Sequence, residues 1–312
     1  MSKRGERNIA VTALKDAVPY IRMFKHKVFL IKVGGAVFAD ANSARHMLEQ
    51  IGILHEVGIR VVLVHGGGPQ ATQLSESLGI PSQFVAGRRV TDAKALEVTT
   101  MVLNGLVNTR ILATCRDLGI PAVGMSGVDA GLIEANRRPP VELEDAGEQT
   151  VDFGYVGDIK KINSEVVAKQ LEAGFLPVIS PLSADSGGTL LNINADTVAA
   201  ALATDLGAEK LIIATGAPGV LEDENDPRSL VSYMDLGGLM EMREKGQLAG
   251  GMAPKAAAIE AAIRGGVERV HVISHDLADS LLLEVFTNEG TGTLVVANTA
   301  TLSAAEQAAD AG

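Results

Sequence analysis

The sequence predicts an α/β fold in which a mostly parallel sheet is covered by helices on both faces. Three observations carry that prediction. Short runs of Val, Ile, Leu and Phe alternate with segments of helical length and periodicity. Several of those runs end directly in glycines, as strands do where a parallel sheet turns into its crossover helix. The chain has no Trp, so its core rests on aliphatic packing.

In chain order, residues 1–11 are charged and expected to be frayed. Residues 12–25 read as an amphipathic helix with Leu14, Val18, Ile21 and Phe24 near helical spacing and Pro19 as a kink. Residues 28–33 form the first core strand, ending in Gly34-Gly35. A helix follows at 43–57. Then comes Val61-Val62-Leu63-Val64-His65-Gly66-Gly67-Gly68-Pro69-Gln70, a buried strand, a glycine turn and a helix start with Pro at its first position and Gly79 at its end. Residues 92–117 read as helix, 121–125 as strand, and 137–152 as a surface excursion with hairpin character. Residues 176–181 are a strand closing the first half. The second half repeats the alternation: an Ala-rich helix at 194–206, a strand at 210–215, an acidic loop at 223–234, helices at 235–246 and 253–265, and strands at 270–273 and 293–296. The tail from 301 is small, polar and expected to be mobile.

Length and charge set the bounds. The chain has 312 residues, 46% hydrophobic, with 27 Lys and Arg against 38 Asp and Glu, a net charge of −11. That balance argues against nucleic acid or an anionic membrane as partner. The single cysteine, Cys115, excludes an internal disulfide and reads as a small buried hydrophobe. No apolar run reaches the roughly 18 residues of a spanning helix, and no signal peptide is visible, so the cytoplasm is the expected location.

The glycine turn at 66–68 is the sharpest local feature, because the helix start behind it offers free N–H groups and a favourable dipole to an anion. Gly66, Gly68 and Ala71 fit a dinucleotide fingerprint, but the acidic residue wanted about 20 positions on is replaced by Arg88-Arg89. His-Gly-Gly-Gly fits an esterase oxyanion hole, but G-x-S-x-G is absent and Gly124-Met125-Ser126-Gly127 is a near miss. Phosphate binding without a Walker lysine remains, beside the plainer reading of a tight turn with no ligand.

Other polar residues follow apolar strands. Lys32 interrupts Phe29-Leu30-Ile31-Lys32-Val33, and a lysine there is costly unless it reaches solvent or meets an anion. Asp196 opens a helix, where it is either a plain dipole partner or a functional acid. Asn192 and Asn194 read either as turn formers or as ligand contacts. Lys255 follows Gly250-Gly251. Two lysines, two glycine nests and one acid to orient them are what phosphoryl transfer needs.

Over residues 13–297 the chain resembles the amino acid kinase family. The resemblance rests on Lys32-Val33-Gly34-Gly35, His65-Gly66-Gly67-Gly68-Pro69, Gly87-Arg88-Arg89-Val90-Thr91, Leu191-Asn192-Ile193-Asn194-Ala195-Asp196 and Gly250-Gly251-Met252-Ala253-Pro254-Lys255, in the family's order. It implies an open three-layer αβα sandwich with three functional parts: an N-terminal helix (1–27), a lobe for an acyl amino acid and dimerisation (28–182), and an ATP lobe (183–300). It implies transfer of the ATP γ-phosphoryl to the side-chain carboxylate of N-acetyl-L-glutamate. Lys32 and Lys255 would stabilise the moving phosphoryl, with Asp196 orienting both. Gly34, Gly35 and Gly66 would line the phosphate. Gly67, Gly68, Arg89, Asn192 and Asn194 would hold the substrate, Arg89 by its α-carboxylate and Asn192 by its acetamido group. Thr215, Gly216, Gly219 and Gly251 would lie at the nucleotide, with Gly216 standing where the family usually carries Asp or Asn. Mg²⁺ would ride on the ATP phosphates. A kinase for a modified aminoadipate and a non-catalytic amino-acid sensor of the same fold remain as alternatives. Uridylate kinase suits Arg89 and the asparagines less well.

The segments Val18-Pro19-Tyr20-Ile21 and Leu282-Leu283-Glu284-Val285-Phe286-Thr287, with Gly290-Thr291-Gly292-Thr293, resemble the arginine-inhibited branch. That resemblance implies an arginine site at Tyr20, His271, Glu284 and Gly292, and a hexamer built as a trimer of dimers through the N-terminal helix.

Overall fold

The computed structural model describes residues 3–85, 88–143, 149–248, 251–287 and 290–302. Gly87 and Gly250, quoted in two of the motifs, lie outside the described residues, as does most of the expected tail. The centre is an eight-stranded sheet. Its strands are β1 (Val28–Val33), β2 (Arg60–His65), β5 (Ala122–Ser126), β10 (Leu176–Ser180), β13 (Lys210–Thr215), β14 (Tyr233–Asp235), β15 (Arg269–Ser274) and β16 (Thr293–Val296). They lie in the order β14-β16-β15-β13-β1-β2-β10-β5. All neighbours are parallel except β15 and β16. The first strands of the two halves, β1 and β13, pair at the middle, Lys32 opposite Ile213.

Alternation along β1 assigns the layers. Phe29, Ile31 and Val33 face one core with α2 (Ala41–Glu56) and α5 (Thr109–Asp117). Leu30 faces the other, with α7 (Ala195–Asp205) and α9 (Met252–Arg264). Period-two geometry puts Lys32 on the Leu30 side, toward the start of α7.

A second sheet was not expected. β6 (Ile133–Arg137), β9 (Gly157–Ile162), β11 (Leu182–Ala184) and β12 (Leu190–Asn192) pair in the order β12-β11-β6-β9. The lobe boundary expected at 182–183 falls at β11, which pairs with β12 in this small sheet. The excursion at 137–152 contains the antiparallel pair β7 (Val141–Leu143) and β8 (Gln149–Val151). Residues 144–148 between them lie outside the described residues.

Two helices correct the expectations. α1 runs Lys3–Phe24 through Pro19, so the segment expected to fray is helical from residue 3. Of its apolar stripe only Phe24 is buried; Val18 and Ile21 are half-buried and Leu14 is exposed. The helix expected at 92–117 is continuous but not uniform: α4 (Ala93–Thr100) and α5 flank an eight-residue π-helical stretch, Met101–Asn108. Two short helices went unread, α6 (Glu165–Glu172) and α10 (Ser280–Phe286).

Candidate active site

Three charges from three elements meet at the sheet centre, Lys32 and Asp196 buried and Lys255 half-buried. Lys32 Nζ lies 2.8 Å from Asp196 Oδ1, and Lys255 Nζ 3.8 Å from Asp196 Oδ2. Asp196 is in the first turn of α7, which Asn194 caps by accepting from the N–H groups of Asp196 and Thr197. Lys255 stands in the first turns of α9 and also donates to the Gly251 carbonyl. Burial pulls the Lys255 pKa down, the neighbouring Lys32 charge adds to that, and Asp196 opposes both. Two cations against one carboxylate leave a net positive charge in a place largely closed to water. Such a charge is stable only opposite an anion.

The glycine turns stand back to back beside these lysines. A Cβ on Gly35 would come within 2.9 Å of the Gly67 backbone, and one on Gly66 within 3.1 Å of the Gly35 nitrogen, so Gly35 has no room for a side chain and Gly66 little. Gly67 would meet Leu103 at 2.7 Å, whereas Gly34 and Gly68 have open space. α3 (Gly68–Ser77) begins at the second turn, with Gly67 at its cap. Gln70, in its first turn, donates to the Gly35 carbonyl at 2.6 Å. His65 is fully buried, and burial pushes its pKa down to about 4 against a smaller effect of Gly66. Its Nδ1 lies 3.0 Å from the Gly66 carbonyl and its Nε2 3.1 Å from Asn108 Nδ2. A neutral ring with the proton on Nδ1 satisfies both contacts.

Arg89 lies on β4 (Arg88–Val90), paired with β3 (Gln83–Val85). Its guanidinium donates to Ser82 Oγ, Thr72 Oγ1 and the Gly68 carbonyl and stacks under Phe84, so the fork is fixed at the start of α3. Asn192, on β12, donates its amide to Thr91 Oγ1, and its backbone N–H goes to Tyr155. Asn194 is exposed, with its carbonyl oxygen committed to the α7 cap.

On the other side, Thr215 and Gly216 end β13. Gly216 is not among the positive-φ glycines, and a Cβ there would sit 3.7 Å from His275 Nε2 and 3.9 Å from Asp276 Oδ2. Gly219 is buried, and a Cβ would approach Leu230 and Thr293 within 2.6 Å, so packing explains that glycine. Gly251 is exposed with open space about it. Among the described residues no group of three or more His, Cys, Asp or Glu is placed to hold a metal.

The sequence profile of the amino acid kinase family matches residues 27–274. The chain belongs to the amino acid kinase family. It is 48% identical to the acetylglutamate kinase of Myxococcus xanthus over 288 residues, covering 91% of this chain and 94% of that protein. To that of Methanococcoides burtonii it is 43% identical, covering 92% and 94%. Among solved structures, the N-acetylglutamate synthase of Neisseria gonorrhoeae complexed with coenzyme A and L-arginine superposes with a TM-score of 0.78 at 26% identity. The match covers 92% of this chain and 65% of the synthase, so this chain spans just under two thirds of that protein. Carbamate kinase from Giardia lamblia bound to AMP-PNP, at 18% identity and a TM-score of 0.60, shares the fold, covering 88% of this chain and 99% of that one.

Within this amino acid kinase fold, two of the residues expected to hold arginine, His271 and Glu284, form a network with Lys210 and Thr291 near the last turn of α1. His271 Nδ1 donates to Glu284 Oε1 at 2.6 Å, and His271 Nε2 lies 2.9 Å from Lys210 Nζ. Glu284 Oε2 accepts from the backbone and hydroxyl of Thr291. Burial alone would raise the Glu284 carboxyl, but His271, Thr291 and Lys210 outweigh it and hold it at about 2. Lys210 sits 5.1 Å from the Phe24 ring centroid, and Tyr20 packs half-buried on the same core. A Cβ on Gly292 would collide with the Val272 carbonyl, so close strand packing demands that glycine. Lys210, Gln70, Asn108, Thr91, Tyr155 and His275 were not singled out from the sequence. Gln70 and Lys210 each stand next to a motif that was, the glycine turn and the β13 strand.

Proposed function

We propose that the protein transfers the γ-phosphoryl group of ATP to the side-chain carboxylate of N-acetyl-L-glutamate, giving N-acetyl-L-glutamyl 5-phosphate and ADP in arginine biosynthesis. The observation that carries this reading is the Lys32–Asp196–Lys255 cluster, whose Lys32 lies on the strand that runs directly into the Gly34-Gly35 turn. A carboxylate oxygen of the substrate attacks the γ-phosphorus while the bond to the bridging oxygen of ADP breaks. The nucleophile is already ionised, so no general base is required. Positioning and charge neutralisation are the task. Lys32 lies on β1 and Lys255 on α9, and each would neutralise phosphoryl oxygens from its own side. Asp196 keeps the two ammonium groups apart and aimed.

The acyl amino acid lies on the first half, its α-carboxylate on Arg89 and its acetamido group at Asn192. ATP lies on the second half, past Thr215, Gly216 and Gly251. Asp196 is paired with the two lysines, and Mg²⁺, which keeps several waters and few protein ligands, would ride on the ATP phosphates. The test is ADP release measured with N-acetylglutamate, glutamate and N-acetyl-aminoadipate side by side. Turnover is expected with the first. Turnover confined to the aminoadipate would move the assignment to the longer substrate, and none with any would sink it.

Arginine inhibition is the second element of the reading, favoured by the buried Glu284 carboxylate at the base of α1. A guanidinium arriving there would compete with Thr291 for Glu284 Oε2, coupling inhibitor binding to the turn at 290–292. A ring assembly through α1 completes the reading, because residues 11–16 of that helix are exposed in their own subunit.

A further inference from the structure

The phosphate-facing turns are held by contacts that the reaction itself does not use. In a trans peptide the carbonyl and the following N–H point in opposite directions. Fixing a carbonyl therefore fixes where the next N–H aims. The Gly66 carbonyl is held by His65 Nδ1 at 3.0 Å, which fixes the N–H of Gly67. The Gly35 carbonyl is held by Gln70 Nε2 at 2.6 Å and by the Phe38 N–H at 3.1 Å, which fixes the N–H of Ala36. Among the described residues, no hydrogen bond to protein engages the N–H of Gly35, Ala36 or Gly67. Glycines allow a peptide to turn over at little cost. A reversed Gly66–Gly67 peptide would present a carbonyl dipole, not a donor, to an anion.

His65 is itself held. Asn108 Nδ2 donates to the Val178 carbonyl at 3.0 Å and stands 3.1 Å from His65 Nε2. An amide hydrogen directed at Nε2 leaves that nitrogen as acceptor and places the ring proton on Nδ1, toward Gly66. Asn108 ends the π-helical stretch Met101–Asn108, and Asn104 in the same stretch accepts from Ser180 Oγ. Two asparagines four apart, on one face of this stretch, thus both contact β10, at Val178 and Ser180.

We propose that Gln70 and the Asn108–His65 pair are positioning residues: they lock the Gly35 and Gly66 carbonyls away from the phosphoryl path, so that the N–H groups of the two turns face it. The inference rests on the kinase reading above. Ground-state binding of either substrate depends on other groups, such as Arg89, so the loss should fall on kcat.

Four variants test it: Gln70→Met, His65→Gln, His65→Asn and Asn108→Asp. Gln70→Met removes the donor and keeps the length. In His65→Asn the side-chain amide can stand in for Nδ1–H, which the longer Gln cannot do. Asn108→Asp offers Nε2 an acceptor and draws the ring proton away from Gly66. Gln70→Met, His65→Gln and Asn108→Asp should each lower kcat by about tenfold to a hundredfold, with both KM values within about threefold, whereas His65→Asn should keep kcat within about threefold. Thermal melting accompanies every assay. His65→Asn as slow as His65→Gln, or kcat unchanged in folded Gln70→Met, overturns the proposal. If the His65 variants do not fold, Gln70→Met alone decides. Wild-type protein in the same assay separates the two inferences: no wild-type turnover defeats the kinase reading, and turnover indifferent to these substitutions defeats the locks.

Discussion

At the scale of single residues the centre is an electrostatic balance. On the proposed reaction Lys32 and Lys255 would each contribute charge where negative charge moves, so Lys32→Ala and Lys255→Ala should lower kcat by about 10²–10³ while changing KM far less. Steady-state kinetics with each substrate varied checks this, and a change confined to KM would assign the lysines to binding alone. Asp196 gives a pH-dependent counterpart. Burial and Lys32 lower the Lys255 pKa, and Asp196 raises it. A lysine must keep its proton to neutralise phosphate, so kcat should fall on the alkaline side as Lys255 deprotonates. Asp196→Asn removes the one opposing influence, so the alkaline limb should move to lower pH. An unmoved limb in Asp196→Asn would show that another group sets it.

At the scale of elements, most strands of the central sheet and most long helices were legible in the sequence because their signals are local, whereas β14 falls on the end of the expected acidic loop. Val61–Val64 is apolar throughout since β2 is buried on both faces, and Lys32 stood out because it breaks such a run. What was not legible depends on distant partners. The small sheet is built of short strands, such as Leu182–Ala184 and Leu190–Asn192, whose stability comes from pairing across the chain. The π-helical stretch has no local signature either. Its apolar content reads as ordinary helix, and the contacts of Asn104 and Asn108 with β10 and His65 are made only in the folded chain. Of the site, the charged and glycine residues could be read, whereas Gln70 and Asn108 could not. A lone buried amide is marked only by the backbone it touches.

Gly105 lies in that stretch, exposed, with nothing within 4 Å of a Cβ placed on it. Glycine in a helix interior costs about 0.5–1 kcal/mol relative to alanine through the entropy of the unfolded chain. Gly105→Ala should therefore stabilise the protein by about that amount in denaturant unfolding, with kcat unchanged. Destabilisation would mean that this face is covered by another subunit at close range.

At the scale of the whole molecule, α1 poses the open physical question. Its last turn is anchored, with Phe24 edge-on to Phe29 at 5.1 Å and beside Lys210. Farther out, Val11 and Leu14 are 53% and 64% exposed. A helix with an uncovered apolar stripe is marginal alone in water and gains its stability by packing. The partner that suits it is the same helix of another subunit, because a symmetric contact covers the stripe on both copies at once. The anchored turn sits on the Lys210–His271–Glu284 network, so a ligand that rearranges Glu284 would shift α1 and, through it, the assembly. Such coupling requires the ligand to bind two arrangements with different affinity. Removing residues 1–16 leaves Tyr20 and Phe24 in place and deletes only the projecting part. The shortened protein should remain folded and active, sediment as a smaller oligomer than the full chain, and lose inhibition by arginine. Light scattering after size exclusion, with activity followed against arginine concentration, reads both effects. An unchanged mass would place the subunit contact elsewhere, and a smaller particle still inhibited by arginine would separate the inhibitor's action from assembly.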